Sequence, residues 1–208
     1  MYGRPVNEPH REPIAELVRT VLSQHTSDGN RDRAFASLSE RFSNWEEVRD
    51  APVSAVEEAI RPGGLAKQKA PRIQAILERL GDPPDLDWTE TASRDESMEF
   101  LVALPGVGRK TAACMLIFTW DIPEIPVDVH VYRVGGRLGL FAEKASFERA
   151  HDEMLAIVEP VDAYEFHMNL IRHGREVCRP KPRCGECELR RMCPWYRAER
   201  EMSAERPK

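Results

Sequence analysis

The stretch LPGVGRKTAACMLIF, residues 104–118, places a proline and two glycines between two helical patterns. One helix ends before Pro105, and the sequence predicts the next helix at Lys110–Trp120. Gly106 and Gly108 have no side chains, so the backbone can approach a partner closely there. The free N–H groups at the start of the second helix can hold an anion such as a DNA phosphate. By itself, the G-V-G pattern is equally typical of an ordinary turn between helices.

The sequence on both sides of this turn is helical in pattern. Most of the 16 prolines fall at joints between the patterns, and strand-like alternation is scarce, which predicts an all-α protein with short loops. The segment 81–88, GDPPDLDW, is the best candidate for a linker, and the polar tail 201–208 is expected to fray. Apolar residues recur at spacings of three and four, as in an amphipathic helix, at 12–24, 33–42, 53–60 and 69–80.

Composition narrows the class of protein. A chain of 208 residues with 41% hydrophobic content can bury a sizeable core. No run reaches the roughly 18 apolar residues of a membrane span, and no secretory signal is present, which predicts a cytoplasmic protein without a membrane partner. The net charge of -5 is uneven, since residues 172–208 carry eleven Lys or Arg against six Glu. That segment is therefore +5 and residues 1–171 are -10, so the total charge does not exclude nucleic acid.

The basic segment contains CRPKPRCGECELRRMC, residues 178–193, with the cysteine spacing C-x5-C-x2-C-x5-C. One short loop thus supplies four thiolates, enough for a four-coordinate zinc ion or a cubane iron–sulfur cluster. The wide gaps are unlike the paired C-x2-C knuckles of zinc ribbons, but spacing alone does not choose the metal. A fifth cysteine, Cys114, lies in an apolar run and is interpreted as a core thiol. The four candidate metal ligands are Cys178, Cys184, Cys187 and Cys193.

Two residues eighteen positions apart are candidates for chemistry. The helix dipole and Arg109 both disfavour the protonated form of Lys110, which frees a neutral, nucleophilic amine. The alternative is a lysine that only contacts phosphate or water. Asp128 precedes a predicted helix, where the alternative is an N-cap. A helix ending at Trp120 is about 15 Å long, and the connection after it can span over about 20 Å, so Asp128 can return to the Lys110 end.

Together these motifs resemble the endonuclease III family of DNA base-excision glycosylases, in the helix-hairpin-helix superfamily. The resemblance covers residues 14–196, and its most specific parts are LPGVGRKTA, VDVHVYRV and the HGREVC that leads into the cysteine loop. It implies two helical domains with double-stranded DNA held in the cleft between them. Residues 6–122 would form a six-helix domain with the hairpin. Residues 123–208, with the extreme N-terminus, would carry a [4Fe-4S] cluster on the four cysteines, with zinc as the alternative.

The resemblance also implies an activity. Lys110 takes the nucleophile position and Asp128 the catalytic carboxylate position of a monomeric, nucleoid-associated DNA glycosylase and AP lyase. Such an enzyme flips a damaged base, oxidised pyrimidines being the family default, and cuts the strand 3′ to the lesion through a Schiff base. The alternatives are a glycosylase for thymine or uracil opposite guanine, and a non-catalytic, metal-stabilised DNA-binding module. An electron carrier would leave Lys110, Asp128 and the hairpin unexplained.

The resemblance further implies DNA contacts. Leu65, in GGLAKQKA, looks like the wedge that enters the base stack, and His25, in LSQHTSD, lies where relatives often have a gap-filling glutamine. Thr20 stands where adenine-removing relatives have a catalytic glutamate, which argues against that branch. Phosphate contacts are expected from the hairpin and from the basic cysteine loop, at Gly106, Gly108, Arg109, Arg179, Lys181 and Arg183.

The chain departs from the family pattern in three places. The first cysteine gap has five residues where six are usual, and His25 replaces an amide side chain. The chain also begins close to the first core helix, whereas relatives typically have an earlier helix. Either that helix is missing or the true start lies upstream of Met1.

Overall fold

The structure, a computed structural model, describes residues 1–9 and 12–204. These residues form α-helices, short 3-10 turns and loops without a β-strand, so the predicted all-α class is confirmed. None of the described helices is both long and apolar enough to cross a membrane. The α-helices are α1 (Pro13–Ser23), α2 (Asp28–Arg41), α3 (Trp45–Asp50), α4 (Val53–Ala59), α5 (Ala66–Arg79), α6 (Arg94–Val102), α7 (Arg109–Trp120), α8 (Val129–Leu138), α9 (Phe147–Ile157), α10 (Ala163–Glu176) and α11 (Pro194–Ala204).

The chain divides into two compact units. Glu8–Ile122 forms the hairpin unit, which contains α1 to α7, and Met1–Asn7 joins the chain from Pro123 onward to form the cysteine unit. The described part of the hairpin unit thus has seven α-helices, where the resemblance implied six. The difference arises at Pro52, which separates the short helices α3 and α4 because proline cannot continue the hydrogen-bond ladder.

The segment 81–88 was expected to be a linker, and this prediction is wrong. The segment lies inside the hairpin unit, where Leu86 is buried in the hydrophobic core. Its Gly and Pro residues mark a turn between α5 and the next 3-10 helix at Asp87–Glu90. Turn chemistry and linker chemistry use the same residue types, so the sequence pattern alone does not separate them.

The core of the hairpin unit follows from the helical periods. Helix α1 packs against α2 and α7, and α5 packs against α3 and α4. Helices α1 and α5 each present one apolar stripe to the interior, whereas α7 is buried on nearly all sides from Thr111 to Ile117. Burying an aliphatic side chain in this core contributes about 1.5–3 kcal/mol. Helices α1, α5 and α7 supply Leu17, Val18, Val21, Leu22, Ile73, Ile76, Leu77, Ala112, Met115 and Leu116.

The cysteine unit is built on the packing of α8 against α10. Gly174 allows this close approach, since a Cβ there would lie 2.9 Å from the Cβ of His130. The N-terminal segment joins the unit through Arg4, which forms an ion pair with Asp162 at 2.8 Å. Helix α11 continues to Ala204, beyond the point where fraying was expected, and residues 205–208 lie outside the described part of the chain.

Candidate functional site

The start of α7 is an uncapped helix N-terminus. Gly108 stands at its N-cap position, so no side chain bonds to the first-turn N–H groups. Arg109 is the first helical residue and is half-buried, whereas Lys110 is the second and is exposed. Among the described residues no hydrogen bond or ion pair to the Lys110 amine is found. This end of α7 therefore offers free N–H donors and an accessible lysine to an anion.

The two glycines of the hairpin have different reasons to be glycine. Gly106 has a φ of +71°, and a Cβ there would collide with the Arg72 side chain. Gly108 has an ordinary φ of -94°, and a Cβ there would meet nothing within 4 Å. Gly106 is thus required by the turn itself. Gly108 leaves the helix start open, as expected for close approach of a partner.

Asp128 is the N-cap of α8. Its Oδ1 atom accepts hydrogen bonds from the backbone N–H groups of His130 and Val131, both at 2.8 Å. The N-cap interpretation is therefore confirmed in geometry. No hydrogen bond to the second carboxylate oxygen, Oδ2, is found within the described residues, and the side chain is only half-buried. The same carboxylate can thus cap the helix with one oxygen and face a substrate with the other.

The backbone leading to Asp128 is held by a histidine that sequence reasoning missed. The Val127 N–H donates to His151 Nε2 at 3.2 Å, and both residues are buried. His151 lies on α9, 24 residues further along the chain, and carries no motif. Because nothing local marks it, only the tertiary contact reveals it.

His25 and Leu65 share an uncommon backbone conformation. Their φ angles are +55° and +51°, in the left-handed region that non-glycine residues rarely adopt. Leu65, one residue before α5, is 46% exposed, and His25 is also exposed. Strained, exposed positions of this kind cluster at binding sites. The structure thus presents both side chains outward on tightly held loops.

Gln24 connects the His25 loop to the hairpin. Its Nε2 atom donates to the carbonyl oxygen of Gly106 at 3.3 Å, and its Oε1 atom accepts from Arg72 Nη1 at 2.7 Å. Arg72 lies on α5, which follows Leu65 directly. Sequence reasoning singled out His25 and Gly106 but neither of the two residues that join them. No spacing rule links them, because the contacts join positions 48 and 82 residues apart.

The four cysteines line one pocket of the cysteine unit, as the metal-site prediction requires. All four are free thiols, and no carboxylate is among the pocket-lining residues described. Burial raises the pKa of the Cys184 and Cys187 thiols, and the neighbouring thiolates raise both further. Four confined thiolates repel one another, and a cationic metal centre removes that repulsion.

Helix α8 holds the beginning of the cysteine loop through two arginines. Arg137 Nη1 donates to Cys178 Sγ at 3.3 Å and to the carbonyl oxygen of Arg179 at 2.7 Å. Arg133 Nε donates to the carbonyl oxygen of Cys178 at 2.9 Å. Both arginines were missed, although their spacing of four residues in VYRVGGRLGL places them on one helix face. The helix that Asp128 caps is thus also the helix that anchors Cys178.

A histidine connects the N-terminal segment to the cysteine pocket. His173 is buried, with Nε2 at 3.6 Å from Cys187 Sγ and Nδ1 at 2.8 Å from the Tyr2 hydroxyl. Burial lowers the pKa of His173, which favours the neutral ring. The motif HGREVC contains this histidine, but its contact with Tyr2 joins residues 171 positions apart.

The three predicted phosphate-binding cations of the cysteine loop are exposed but not equivalent. Arg179 Nε donates to the carbonyl oxygen of Arg175, and Arg183 lies 3.7 Å from the Glu186 carboxylate. For Lys181, no hydrogen bond or ion pair is found in the described part of the chain. Of the three cations, Lys181 is therefore the one whose charge is most available to a phosphate.

The structure brings most of the predicted site residues into two groups. Gly106, Gly108, Arg109 and Lys110 lie together at the hairpin, which Gln24 joins to the His25 loop. The four cysteines lie together around their pocket, beside the helix that Asp128 caps. Lys110 belongs to the hairpin unit and Asp128 to the cysteine unit.

Comparison with known proteins agrees with these features. The family model of the HhH-GPD superfamily base excision DNA repair proteins matches residues 18–160. Endonuclease III of Thermotoga maritima is 34% identical over 200 residues, covering 93% of this chain and 88% of that protein. Endonuclease III of Bacillus subtilis is 32% identical over 185 residues, covering 88% and 82% respectively.

Solved structures extend the comparison to the fold. A trapped endonuclease III–DNA covalent intermediate has a TM-score of 0.79 and 29% identity, covering 95% of this chain and 90% of that one. A thermostable thymine-DNA glycosylase has a TM-score of 0.74 over 91% and 86%, and its 21% identity shows a shared fold alone. The family model matches more than half of the chain and includes both the hairpin and the VDVHVYRV segment. The chain therefore belongs to the endonuclease III family, within the HhH-GPD superfamily of base excision DNA repair proteins.

Proposed function

We propose that this base-excision repair DNA glycosylase and AP lyase uses Lys110 as its nucleophile and Asp128 as its catalytic carboxylate. The observation that carries the proposal is the start of α7. There an exposed lysine, without a partner among the described residues, stands on a helix N-terminus that lacks a side-chain cap. The substrate is double-stranded DNA that contains a damaged base or an abasic site.

The reaction begins with extrusion of the damaged base, because its glycosidic bond is unreachable inside a duplex. Leu65 enters the stack as a wedge, and His25 fills the opposite-strand side of the vacancy. Both side chains are exposed, and both residues have a left-handed backbone conformation, which supports these roles. The extruded nucleotide must then be held by its phosphates. The free N–H groups at the start of α7 suit that purpose.

The Lys110 amine then attacks C1′ of the sugar. A C1′–N bond to the lysine forms while the glycosidic bond breaks, and the electron pair of that bond leaves with the base. Opening of the sugar ring produces a Schiff base between Lys110 and C1′. The Schiff base acidifies the C2′ proton, and removal of that proton expels the 3′ phosphate. Strand cleavage on the 3′ side of the lesion follows.

Asp128 stabilises the positive charge that develops on the sugar as the base leaves. The free Oδ2 atom suits this role, since Oδ1 is occupied by the two backbone N–H groups of α8. The same carboxylate can accept a proton from the attacking amine. The cap fixes the orientation of the side chain, so the carboxylate does not have to be reorganised during the reaction.

The four cysteines are proposed to hold a [4Fe-4S] cluster. They line one pocket, and no carboxylate is among its described lining residues. Four thiolates are a usual ligand set for a [4Fe-4S] cluster, and the wide C-x5-C gaps are unlike the paired C-x2-C knuckles of zinc ribbons. Zinc is the alternative. The bound cluster would fix the loop that presents Arg179, Lys181 and Arg183 to DNA.

The lesion class is proposed to be oxidised pyrimidines. The relatives with the highest sequence similarity reported above are endonucleases III. A mismatch activity on thymine or uracil opposite guanine, within the same superfamily, is the second candidate. Excision rates measured on a panel of duplexes, with thymine glycol, uracil opposite guanine and thymine opposite guanine, separate the two.

Borohydride trapping on duplex DNA with an abasic site tests the nucleophile directly. The wild-type protein should form a covalent cross-link, and Lys110→Ala should remove it, lowering the lyase rate by on the order of 10³-fold or more. Lys67→Ala, at an exposed lysine of α5, is the matched control and should keep the cross-link. Salt-sensitive DNA binding without any cross-link in the wild type would instead support a non-catalytic binding module.

A further inference from the structure

Lys69 is a lysine buried in the hairpin unit. Its side chain is 1% exposed, and its Nζ atom donates to the carbonyl oxygens of Leu22 at 2.7 Å and Gly63 at 2.9 Å. No carboxylate partner of Lys69 is found among the described residues. Burial lowers the pKa of Lys69, and the nearby Arg72 lowers it further. A buried ammonium of this kind is costly, and an aliphatic residue would suit this face of α5.

The two acceptors of Lys69 lie at the bases of two loops. Leu22 is in the last turn of α1, three residues before His25. Gly63 ends the 3-10 turn Arg61–Gly63, two residues before Leu65. One ammonium group thus joins the backbone segments that carry the two candidate vacancy-filling side chains. Within the described residues, no side chain of either loop forms a hydrogen bond to the other loop.

The contact at Gly63 is close and specific. Gly63 is buried, and a Cβ at this position would lie 3.0 Å from the Cβ of Ala34 on α2. The backbone at Gly63 therefore packs closely against α2. One helical turn after Lys69, Arg72 reaches Gln24 and, through it, the hairpin. Lys69 and Arg72 are three residues apart and so lie on the same face of α5.

We propose that Lys69 is a positioning residue that sets the distance between the His25 loop and the Leu65 loop, so that both side chains enter the vacancy left by one extruded base. This inference rests on the proposed function, because it takes His25 and Leu65 as the residues that fill that vacancy. Lys69 does not touch the reacting atoms. Its effect is on extrusion, and the chemistry at Lys110 is separate from it.

Lys69→Met tests the proposal, because methionine keeps an apolar stem of similar length and removes both donors. Single-turnover excision of a damaged pyrimidine from duplex DNA should fall about tenfold or more, because excision from a duplex requires extrusion of the base. Borohydride cross-linking to an abasic site in single-stranded DNA needs no extrusion and should change less than about twofold. Lys67→Met, on the exposed side of the same helix, is the control and should match the wild type in both assays.

A double-mutant cycle separates positioning from general destabilisation. If Lys69 acts through the wedge, adding Lys69→Met to Leu65→Ala should cost little beyond Leu65→Ala alone. A merely structural role would give additive losses and would slow the single-strand reaction as well. Circular dichroism and visible cluster absorbance, recorded at the assay temperature, establish that the variants are folded. Should Lys69→Met not fold, Lys69→Arg, which keeps donors for both carbonyls, must retain more duplex excision than Lys69→Gln, which carries its amide nitrogen on a shorter side chain.

The outcomes are distinct. A wild-type protein that neither excises nor cross-links contradicts the proposed function itself. An active wild type with Lys69→Met equal to it on duplex DNA overturns the positioning role. Equal losses on duplex and single-stranded DNA, or additive losses with Leu65→Ala, overturn it too.

Discussion

Helices α7 and α8 carry the two proposed catalytic residues at their N-termini, and those N-termini are built in opposite ways. Asp128 satisfies two first-turn N–H groups of α8 with its own carboxylate. Gly108 has no side chain with which to satisfy those of α7. Both helices have the same partial positive charge at this end. The N-terminus of α8 uses this charge to hold the side chain of Asp128, whereas the N-terminus of α7 leaves it available to a phosphate.

This difference explains why the two residues suit different roles. A carboxylate that is bonded to its own helix is held rigidly, and a rigid charge stabilises a transition state without reorganisation. An uncapped helix start beside a lysine that has no partner among the described residues is suited to receive an external group. Because the two features are local, each can be altered without rebuilding the other.

Of the three substitutions that test this comparison, removal of the negative charge at Asp128 should have the largest effect, and the effect should be on the rate of excision. Asp128→Asn keeps an oxygen that can cap α8 but removes the negative charge, so excision should fall by on the order of 10²–10³-fold with little loss of stability. Asp128→Ala should in addition lower the free energy of unfolding by about 1 kcal/mol. Rates and chemical denaturation of both variants check this. Equal activities of Asp128→Asn and the wild type would reduce Asp128 to a cap.

Addition of a carboxylate at the start of α7 should have a smaller effect, and the effect should be on DNA binding. Gly108→Asp adds the missing cap, and its Cβ meets nothing within 4 Å, so the fold should be stabilised by a few tenths of a kcal/mol, roughly the cap difference between Asp and Gly. The added carboxylate would occupy the N–H groups and repel phosphate, which should weaken binding about tenfold. Gly108→Ser, which caps without charge, is the control. Affinity measured by fluorescence anisotropy that is unchanged in Gly108→Asp would mean that DNA does not use this helix start.

Of the three positions, Lys181 should have the smallest effect on DNA binding, because it lies on a loop and no helix dipole adds to its charge. Lys181→Glu should weaken DNA binding several-fold and reduce the salt dependence of binding by about one phosphate contact, while the visible absorbance of the proposed cluster stays intact. Lys144→Glu, at an exposed lysine outside the cysteine loop, serves as the control. Titrations at several salt concentrations decide between a phosphate contact and an ordinary solvated charge.

Much of the candidate site could be predicted because its signals are local. Helix α7 was expected to begin at Lys110 and begins at Arg109, and Asp128 caps α8 as one of its two interpretations required. The all-α class and the endonuclease III resemblance are confirmed. Roles of individual residues on DNA stay predictions. The prediction of a linker at 81–88 was wrong, because turns rich in Gly and Pro occur inside domains as well as between them.

The sequence by itself determined the helical class, the start of α7, the cap of α8, the glycine turn and the thiol-rich loop, since each depends on residues within a few positions of one another. Only the tertiary structure decided which distant groups hold these pieces. Lys69 joins loops through an acceptor 47 residues away, and Arg137 anchors Cys178 from 41 residues away. Neither lysine nor arginine shows in the sequence which carbonyl or thiol it will meet. Their partners are set by how the helices pack, because a buried cation must find its acceptors wherever the fold places them.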